Sequence, residues 1–112
     1  MSFPSVARIS LSGIQVEETR MAVSTANVAN SETPGYTPGR VTSESLPGGG
    51  AAAIVRWSNG VAPSAPGTDA PSGTDLATER VDQLGALQGV RANVAVLRAA
   101  DTVNRSLLDL IA

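Results

Sequence analysis

Acidic side chains are the first candidates for chemistry in this sequence. Glu17 and Glu18 are adjacent, and Glu32 lies further along the chain. Paired carboxylates can act as acid and base or bind a metal ion, but such sites usually also contain histidine or cysteine. The chain has neither residue, so it lacks a side chain that titrates near neutral pH. We therefore predict no catalytic residue, no metal site and no small-molecule substrate.

Glycine and arginine supply two other patterns that could bind a ligand. Gly48 to Gly50 form a glycine run, but the lysine and hydroxyl residue of a phosphate loop do not follow it. The net charge of −2 gives no basic surplus for binding phosphates, so we predict no cofactor and no nucleic-acid partner. Two interpretations remain open for Arg91, Arg98 and Arg105, which are spaced seven apart. They form either a solvated stripe with local ion pairs, which we favour, or a ladder to acidic residues on a neighbouring subunit.

The chain that must position these residues is short and has few large side chains. Its 112 residues allow one small unit, and only 3% of them are aromatic. Ala, Val, Leu and Ile supply most of the 42% hydrophobic content, which suits thin seams between helices better than a compact core. We expect a partner to complete that core.

Proline and glycine divide the chain into three segments. Six of the seven prolines lie in residues 34–71, and eight of the eleven glycines lie in residues 35–73. Helix is disfavoured there. The sequence therefore predicts a mainly α fold: an N-terminal helix and turn in residues 1–36, a Pro/Gly/Ala-rich linker in residues 37–73, and a C-terminal helix in residues 74–112.

Residues 5–29 are predicted to form the first helix, capped by Ser2 or Ser5. Its apolar residues form two stripes on nearly opposite sides, so one stripe can face the chain's own second helix and the other a neighbouring molecule. The stripes are Ala7, Leu11, Ile14, Met21, Ala22, Val28 and Ala29, and then Ile9, Val16 and Val23. Gly13 weakens the helix or lets another helix approach closely. Asn30 is expected to end it.

A turn and at most a short strand or hairpin are predicted between the helices. Thr33-Pro34-Gly35-Tyr36 fits a type II turn, because proline presets φ and glycine accepts a positive φ. Residues 37–50 are expected to be a loop, and residues 51–57 the only strand. Asn59-Gly60 is the hairpin-type turn, and residues 62–73 form an extended linker.

Residues 75–110 are predicted to form the second helix, about 50 Å long at 1.5 Å per residue. Thr74 or Asp75 is expected to cap it, and Glu79 adds a favourable negative charge near its start. An apolar seam should run along it, and a second apolar surface should lie beside that seam. The seam comprises Leu87, Val90, Val94, Leu97, Leu108 and Ile111; the second surface comprises Val96, Ala100, Val103, Leu107 and Leu110. So short a chain cannot cover so long a helix by itself. Residues 51–55, the longest apolar run, are too short to span a bilayer.

Motifs at both ends resemble bacterial flagellar rod, hook and hook-associated proteins, nearest to the proximal-rod type. The N-terminal motifs are Ser12-Gly13-Ile14, Arg20-Met21-Ala22-Val23, Asn27-Val28-Ala29-Asn30 and Thr33-Pro34-Gly35-Tyr36. The C-terminal motifs are Asp75-Leu76-Ala77-Thr78-Glu79-Arg80-Val81, residues 91–101 with Asn93 and Leu97, and Leu107-Leu108-Asp109-Leu110. Together the two ends cover about two-thirds of the chain.

This resemblance implies a structural component of the flagellar basal body rod, not an enzyme. It implies that the terminal helices pair as a coiled coil and assemble with copies of the chain and other rod subunits, around the axis of the periplasm-spanning rod. Secretion by the flagellar export apparatus, with no cleaved signal peptide, is also implied. Since the resemblance covers Asn27 and Asn93, we favour a role for both in fixing helix register. The alternative is a divergent paralogue that acts as a stand-alone coiled-coil adaptor.

Overall fold

The computed structural model describes residues 2–57 and 71–112, and these form two helices joined by a small antiparallel sheet. The order is α1 (Phe3–Ala29), β1 (Gly39–Ser45), β2 (Ala51–Trp57) and α2 (Leu76–Ile111). The mainly α fold with a short hairpin is thus confirmed. The predicted turn at Asn59-Gly60 and residues 62–70 of the predicted linker lie outside the described residues. The division into three segments stays a prediction.

Helix α1 begins and ends where side chains satisfy its free backbone groups. The Ser2 hydroxyl accepts a hydrogen bond from the Ser5 amide at 3.4 Å, so the helix starts two residues earlier than predicted, with Pro4 accommodated in its first turn. At the other end the Asn30 side-chain amide donates to the Ala26 carbonyl at 2.9 Å. The helix-ending role predicted for Asn30 is confirmed.

A tight turn follows α1 at residues 33–36. The Tyr36 amide donates to the Thr33 carbonyl at 3.2 Å, and Gly35 has a φ of +74°. Both features fit the type II turn predicted from Pro34 and Gly35.

The prediction that residues 37–50 form a loop was wrong, because β1 lies within them. Strand β1 pairs with β2 from Gly39 opposite Trp57 to Ser45 opposite Ala51. Its sequence, GRVTSES, has no apolar alternation that would mark a strand. Strand β1 is instead stabilised by pairing with β2 and by packing on α1. Residues 51–57 are a strand, as predicted.

The turn between the strands is fixed to α1 by backbone groups of the glycine run. Arg8 donates through Nη2 to the Gly48 carbonyl at 2.9 Å and through Nη1 to the Gly49 carbonyl at 3.2 Å. The Ser12 hydroxyl accepts from the Ala51 amide at 3.1 Å. The glycine run therefore serves to fold the hairpin onto the helix.

We expect Gly50→Ala to destabilise the fold more than Gly48→Ala. Both glycines have positive φ, +98° and +84°, so each alanine costs about 1–2 kcal/mol of strain. A methyl group at Gly50 would also lie 2.7 Å from the Ser12 hydroxyl, whereas one at Gly48 meets nothing within 4 Å. Urea unfolding followed by circular dichroism, at a concentration where the unaltered chain is helical, measures both losses. Equal losses would contradict a tight contact between Gly50 and Ser12.

Helix α2 starts at an aspartate cap, as predicted. Asp75 accepts from the Ala77 amide at 3.0 Å and from the Thr78 hydroxyl at 3.1 Å. The hydrogen bond from the Thr78 side chain, followed by those from the Ala77 and Thr78 amides, holds the pKa of the Asp75 carboxyl below its usual value. In the part of the chain that the structure describes, neither helix is long and apolar enough to cross a membrane.

The two helices pack against each other in antiparallel directions. A methyl group at Gly13 would lie 2.8 Å from the Asn93 side chain, and one at Gly89 would lie 2.7 Å from Glu17. Gly13 therefore permits close approach of α2. Gly13 lies beside Asn93, and the helices run in opposite directions. Phe3, ten residues before Gly13, therefore lies level with about Val103, ten residues after Asn93. The last eight residues of α2, 104–111, extend past the start of α1.

Small and polar residues of α2, rather than its largest apolar residues, face α1. Buried or half-buried positions recur at alternating spacings of four and three, as in a heptad pattern: Glu79, Gln83, Ala86, Val90, Asn93, Leu97, Ala100 and Asn104. Of the predicted seam, Val90, Val94 and Leu97 are half-buried, but Leu87, Leu108 and Ile111 are exposed. The prediction was wrong for Leu87, because Ala86 faces α1 at this level and the close approach at Gly89 suits a small side chain. Leu108 and Ile111 lie past the start of α1, so their place in a seam with a partner stays a prediction.

Candidate assembly site

Asn27 is the centre of a buried polar cluster at the end of α1. Its side chain is fully buried. Its Oδ1 accepts from the Gly39 amide and the Tyr36 hydroxyl, both at 2.9 Å. Its Nδ2 donates to the Gly39 carbonyl and to Glu79 Oε1, both at 3.0 Å. Two donors and two acceptor positions are all that an asparagine side chain offers, so Asn27 is fully satisfied.

Glu79 brings a buried carboxylate into this cluster from the first turn of α2. Its side chain is fully buried, and Arg40 Nη1 donates to its Oε1 at 2.5 Å from a side chain that is 43% exposed. Asp82 lies on the other side of Arg40, at 3.8 Å. Burial raises the pKa of the Glu79 carboxyl, but the hydrogen bonds from Arg40 and Asn27 and the Arg40 charge outweigh it, so the net pKa lies below its usual value.

Tyr36 connects the turn to the same cluster. Its ring is buried, and burial, followed by the negative charge of Glu79, raises the pKa of its hydroxyl. The Gly73 amide donates to the Tyr36 carbonyl at 2.9 Å, and the Thr74 hydroxyl donates to the Asn27 carbonyl at 3.0 Å. The cluster thus joins the end of α1, the turn, β1 and the start of α2.

The chemistry of the cluster is structural. Its carboxylate is already paired with an arginine, and the described residues contain no group of three acidic residues that could hold a metal ion. Asn27 is fully hydrogen-bonded and Glu79 Oε1 accepts from Arg40 and Asn27, but Glu79 Oε2 is buried without a hydrogen-bond partner. Even so, a buried network of this kind fixes the relative positions of the elements that carry it. Asn27, Tyr36, Arg40 and Glu79 therefore set where α2 starts and how it lies along α1.

The predicted motif residues fall at three places in the fold. Asn27, Asn30, Thr33, Pro34, Gly35 and Tyr36, with the exposed Ala29, lie at the end of α1 and in the turn. Asn93 and Leu97 lie half-buried against α1, and Leu107 and Leu108 are exposed beyond it. Their roles in assembly stay predictions.

Arg91, Arg98 and Arg105, three of the four arginines of α2, are exposed. Arg105 pairs with Asp101 of the same helix at 3.0 Å, as the local interpretation predicts. Asn93 donates to the Gly89 carbonyl one turn earlier at 2.9 Å. A role of Arg91 and Arg98 in pairs between subunits stays a prediction.

Sequence reasoning missed the two charged members of the cluster. Glu79 was interpreted as a favourable charge near the start of α2, and Arg40 lay in a predicted loop. Nothing in their spacing pairs two residues that lie 39 positions apart. The one available signal was an acidic residue within a family-like motif, Asp75 to Val81.

An apolar surface lies at the opposite end of the molecule. Val96, Val103, Leu107, Leu108, Leu110 and Ile111 of α2 are all at least half-exposed. Beside them a groove between the two helices is lined by Phe3, Val6, Val96, Ala99, Val103 and Leu107, among others. An apolar patch of this kind commonly marks a protein–protein contact.

The described residues thus form an elongated pair of helices, which a buried polar cluster positions and which is apolar at one end. Residues 8–37 match the family described as Flagella basal body rod protein, which confirms the resemblance to the flagellar rod protein family. The match runs from Arg8 through the turn and includes Asn27 and Tyr36. It supports a structural role in the flagellar basal body. No curated protein matches the chain, and the proximal-rod type stays a prediction.

Proposed function

We propose that this chain is a subunit of the flagellar basal body rod that polymerises through its terminal helices. The observation that carries the proposal is the apolar end of α2, which extends past α1 and leaves Leu110 and Ile111 more than 80% exposed. Few apolar side chains are buried among the described residues: Val16, Tyr36 and Ala86. A helix pair with so little apolar burial gains stability when neighbours cover its exposed surface.

The pairing of α1 and α2 in this proposal is a coiled coil. Support comes from the alternating three- and four-residue spacing of the α2 positions that face α1. Its partners are other rod subunits and further copies of the chain, and the flagellar export apparatus delivers it without cleavage to the periplasm-spanning rod. Exposed Arg91, Arg98 and Arg105 are available for pairs with acidic residues of those neighbours.

Deleting the gene tests the rod function. We expect the deletion strain to lose motility and to lack complete basal bodies by electron microscopy, because a tube lacking one class of subunit stops growing. A plasmid copy of the unaltered chain should restore both. Normal motility and normal basal bodies in the deletion strain would contradict the proposal; no observation favours the adaptor alternative.

A further inference from the structure

We infer that the end of α2 in one copy packs into the groove between α1 and α2 of a second copy. The α2 extension is residues 104–111, and the groove is the one lined by Phe3, Val6, Val96, Ala99, Val103 and Leu107. This inference rests on the proposed function and names the surfaces that would carry self-assembly.

The α2 extension continues an interface that already exists inside the molecule. Positions Leu97, Ala100 and Asn104 face α1, and the same spacing next reaches Leu107 and Ile111. Helix α1 begins at Phe3, however, and leaves Leu107 and Ile111 54% and 82% exposed, although Leu107 still lines the groove beside Phe3. A helix face patterned to pack against another helix therefore lacks its partner within the described part of the chain.

The groove has the length and the shape to receive such a helix end. Its α2 wall runs from Val96 to Leu107 through Ala99 and Val103, at the three- and four-residue spacing of one helix face. Twelve residues of helix are about 18 Å long, and the eight-residue extension is about 12 Å. An amphipathic helix laid in an apolar groove is a common mode of recognition.

The charge pattern of α2 favours an apolar occupant. At 100° per residue, Val96, Val103 and Leu110 share a face that carries no charged residue between positions 83 and 112. Arg98, Arg105 and Asp109 lie on the other side of the helix. A second copy brings a helix end whose apolar side carries Leu107, Leu110 and Ile111 to this face, whereas an acidic or basic peptide would find no charge to pair with.

Two variants separate the two halves of this contact. Leu110→Glu with Ile111→Glu alters the extension but leaves the groove lining intact. Val96→Glu alters the groove but leaves the extension intact. Val81→Glu is the matched control, because Val81 is an exposed apolar residue of α2 outside the groove, 67% exposed. Circular dichroism checks that all four proteins are equally helical at the same concentration.

Sedimentation velocity over a range of concentrations measures self-association. We expect the extension variant and the groove variant each to weaken association at least about tenfold, and the Val81 control to associate like the unaltered chain. Mixing the two variants should restore association, because one supplies an intact groove and the other an intact extension. Variants that associate normally, or a mixture that stays monomeric, would overturn the inference.

The failure of this inference is distinguishable from failure of the rod function. If the deletion strain is non-motile and the extension variant restores motility fully, the rod function stands and the docking mode is wrong. If the unaltered chain stays monomeric at every concentration, the docking between copies is also wrong, whatever the motility result. If only the groove variant loses helicity, the extension variant decides the test. The inference then requires that the extension variant still associates more weakly than the unaltered chain.

Discussion

Asn27→Asp is expected to cost about 3–5 kcal/mol of folding free energy, enough to remove most of the helical signal of so small a protein. The substitution preserves shape but replaces both donors of the Asn27 amide by a carboxylate oxygen. That oxygen would face the Gly39 carbonyl and Glu79 Oε1, each now 3.0 Å from Nδ2. Urea unfolding followed by circular dichroism at pH 7 measures the loss.

Asn30→Asp is the matched control for this substitution. Asn30 Nδ2 donates to the Ala26 carbonyl and its Oδ1 accepts from the Thr33 hydroxyl. Aspartate keeps the second hydrogen bond and loses only the first, and a negative charge at a helix C-terminus costs only about 0.3–1 kcal/mol. We therefore expect a far smaller loss there. A loss at Asn27 no larger than that at Asn30 would show that the cluster does not hold the fold together.

Combining Asn27→Asp with Glu79→Gln tests the contact between the two residues directly. A glutamine amide at position 79 can donate to the new aspartate, which a glutamate cannot do. The double variant should recover at least about 1 kcal/mol relative to Asn27→Asp alone, although Glu79→Gln by itself is destabilising. Strictly additive losses would contradict the direct hydrogen bond.

Glu79→Gln is expected to flatten the acid side of the stability profile. The pKa of the Glu79 carboxyl is lower in the folded chain than in the unfolded one, so the folded state is stabilised above the ordinary glutamate pKa of about 4.3. This contribution decreases as the pH falls through the folded-state pKa. At pH 7 we expect the variant to be less stable by about 1–2 kcal/mol, a modest figure because Arg40 is 43% exposed.

The measurement is the free energy of unfolding of both proteins between pH 3 and pH 7. The difference between them should shrink as the pH falls below about 4.3, because Glu79 of the unfolded chain is protonated first. The difference becomes constant once the pH is below the lowered folded-state pKa, where Glu79 is neutral in both states. Asp75 also has a lowered pKa, so both proteins keep some acid sensitivity. A constant difference across this range would contradict a charged Glu79 in the folded chain.

The helices and the turn could be predicted because their signals are local. A capping serine or aspartate, apolar periodicity and the Pro-Gly pair of the turn act within a few residues. These elements appear within two residues of the predicted ends. The aspartate cap, the Asn30 end and the positive φ of Gly35 all follow from residue type alone.

Strand β1 and the true packing face of α2 could not be predicted in this way. β1 is a strand because β2 and α1 lie beside it, not because GRVTSES favours one. Likewise, hydropathy selected Leu87 for the seam, whereas the close approach at Gly89 places the smaller Ala86 against α1. Both outcomes depend on contacts between residues far apart in sequence.

The polar cluster was only half predictable. Asn27 and Tyr36 were identified through the family motifs, but the expected role of Asn27 was register within a helix seam. In the structure its side chain forms hydrogen bonds with a strand, a turn and the Glu79 carboxylate of α2 at once, and its role in register stays a prediction. The four groups that hydrogen-bond to Asn27 come from three separate segments, so no periodic pattern in the sequence predicts these contacts.

The unequal lengths of the two helices give this molecule a direction. One end is closed by the cluster of Asn27 and Glu79, and the other carries α2 alone past Phe3. Copies stacked in a single orientation therefore produce an array with two unlike ends. Such an array is polar, and the rates at which subunits join its two ends need not be equal.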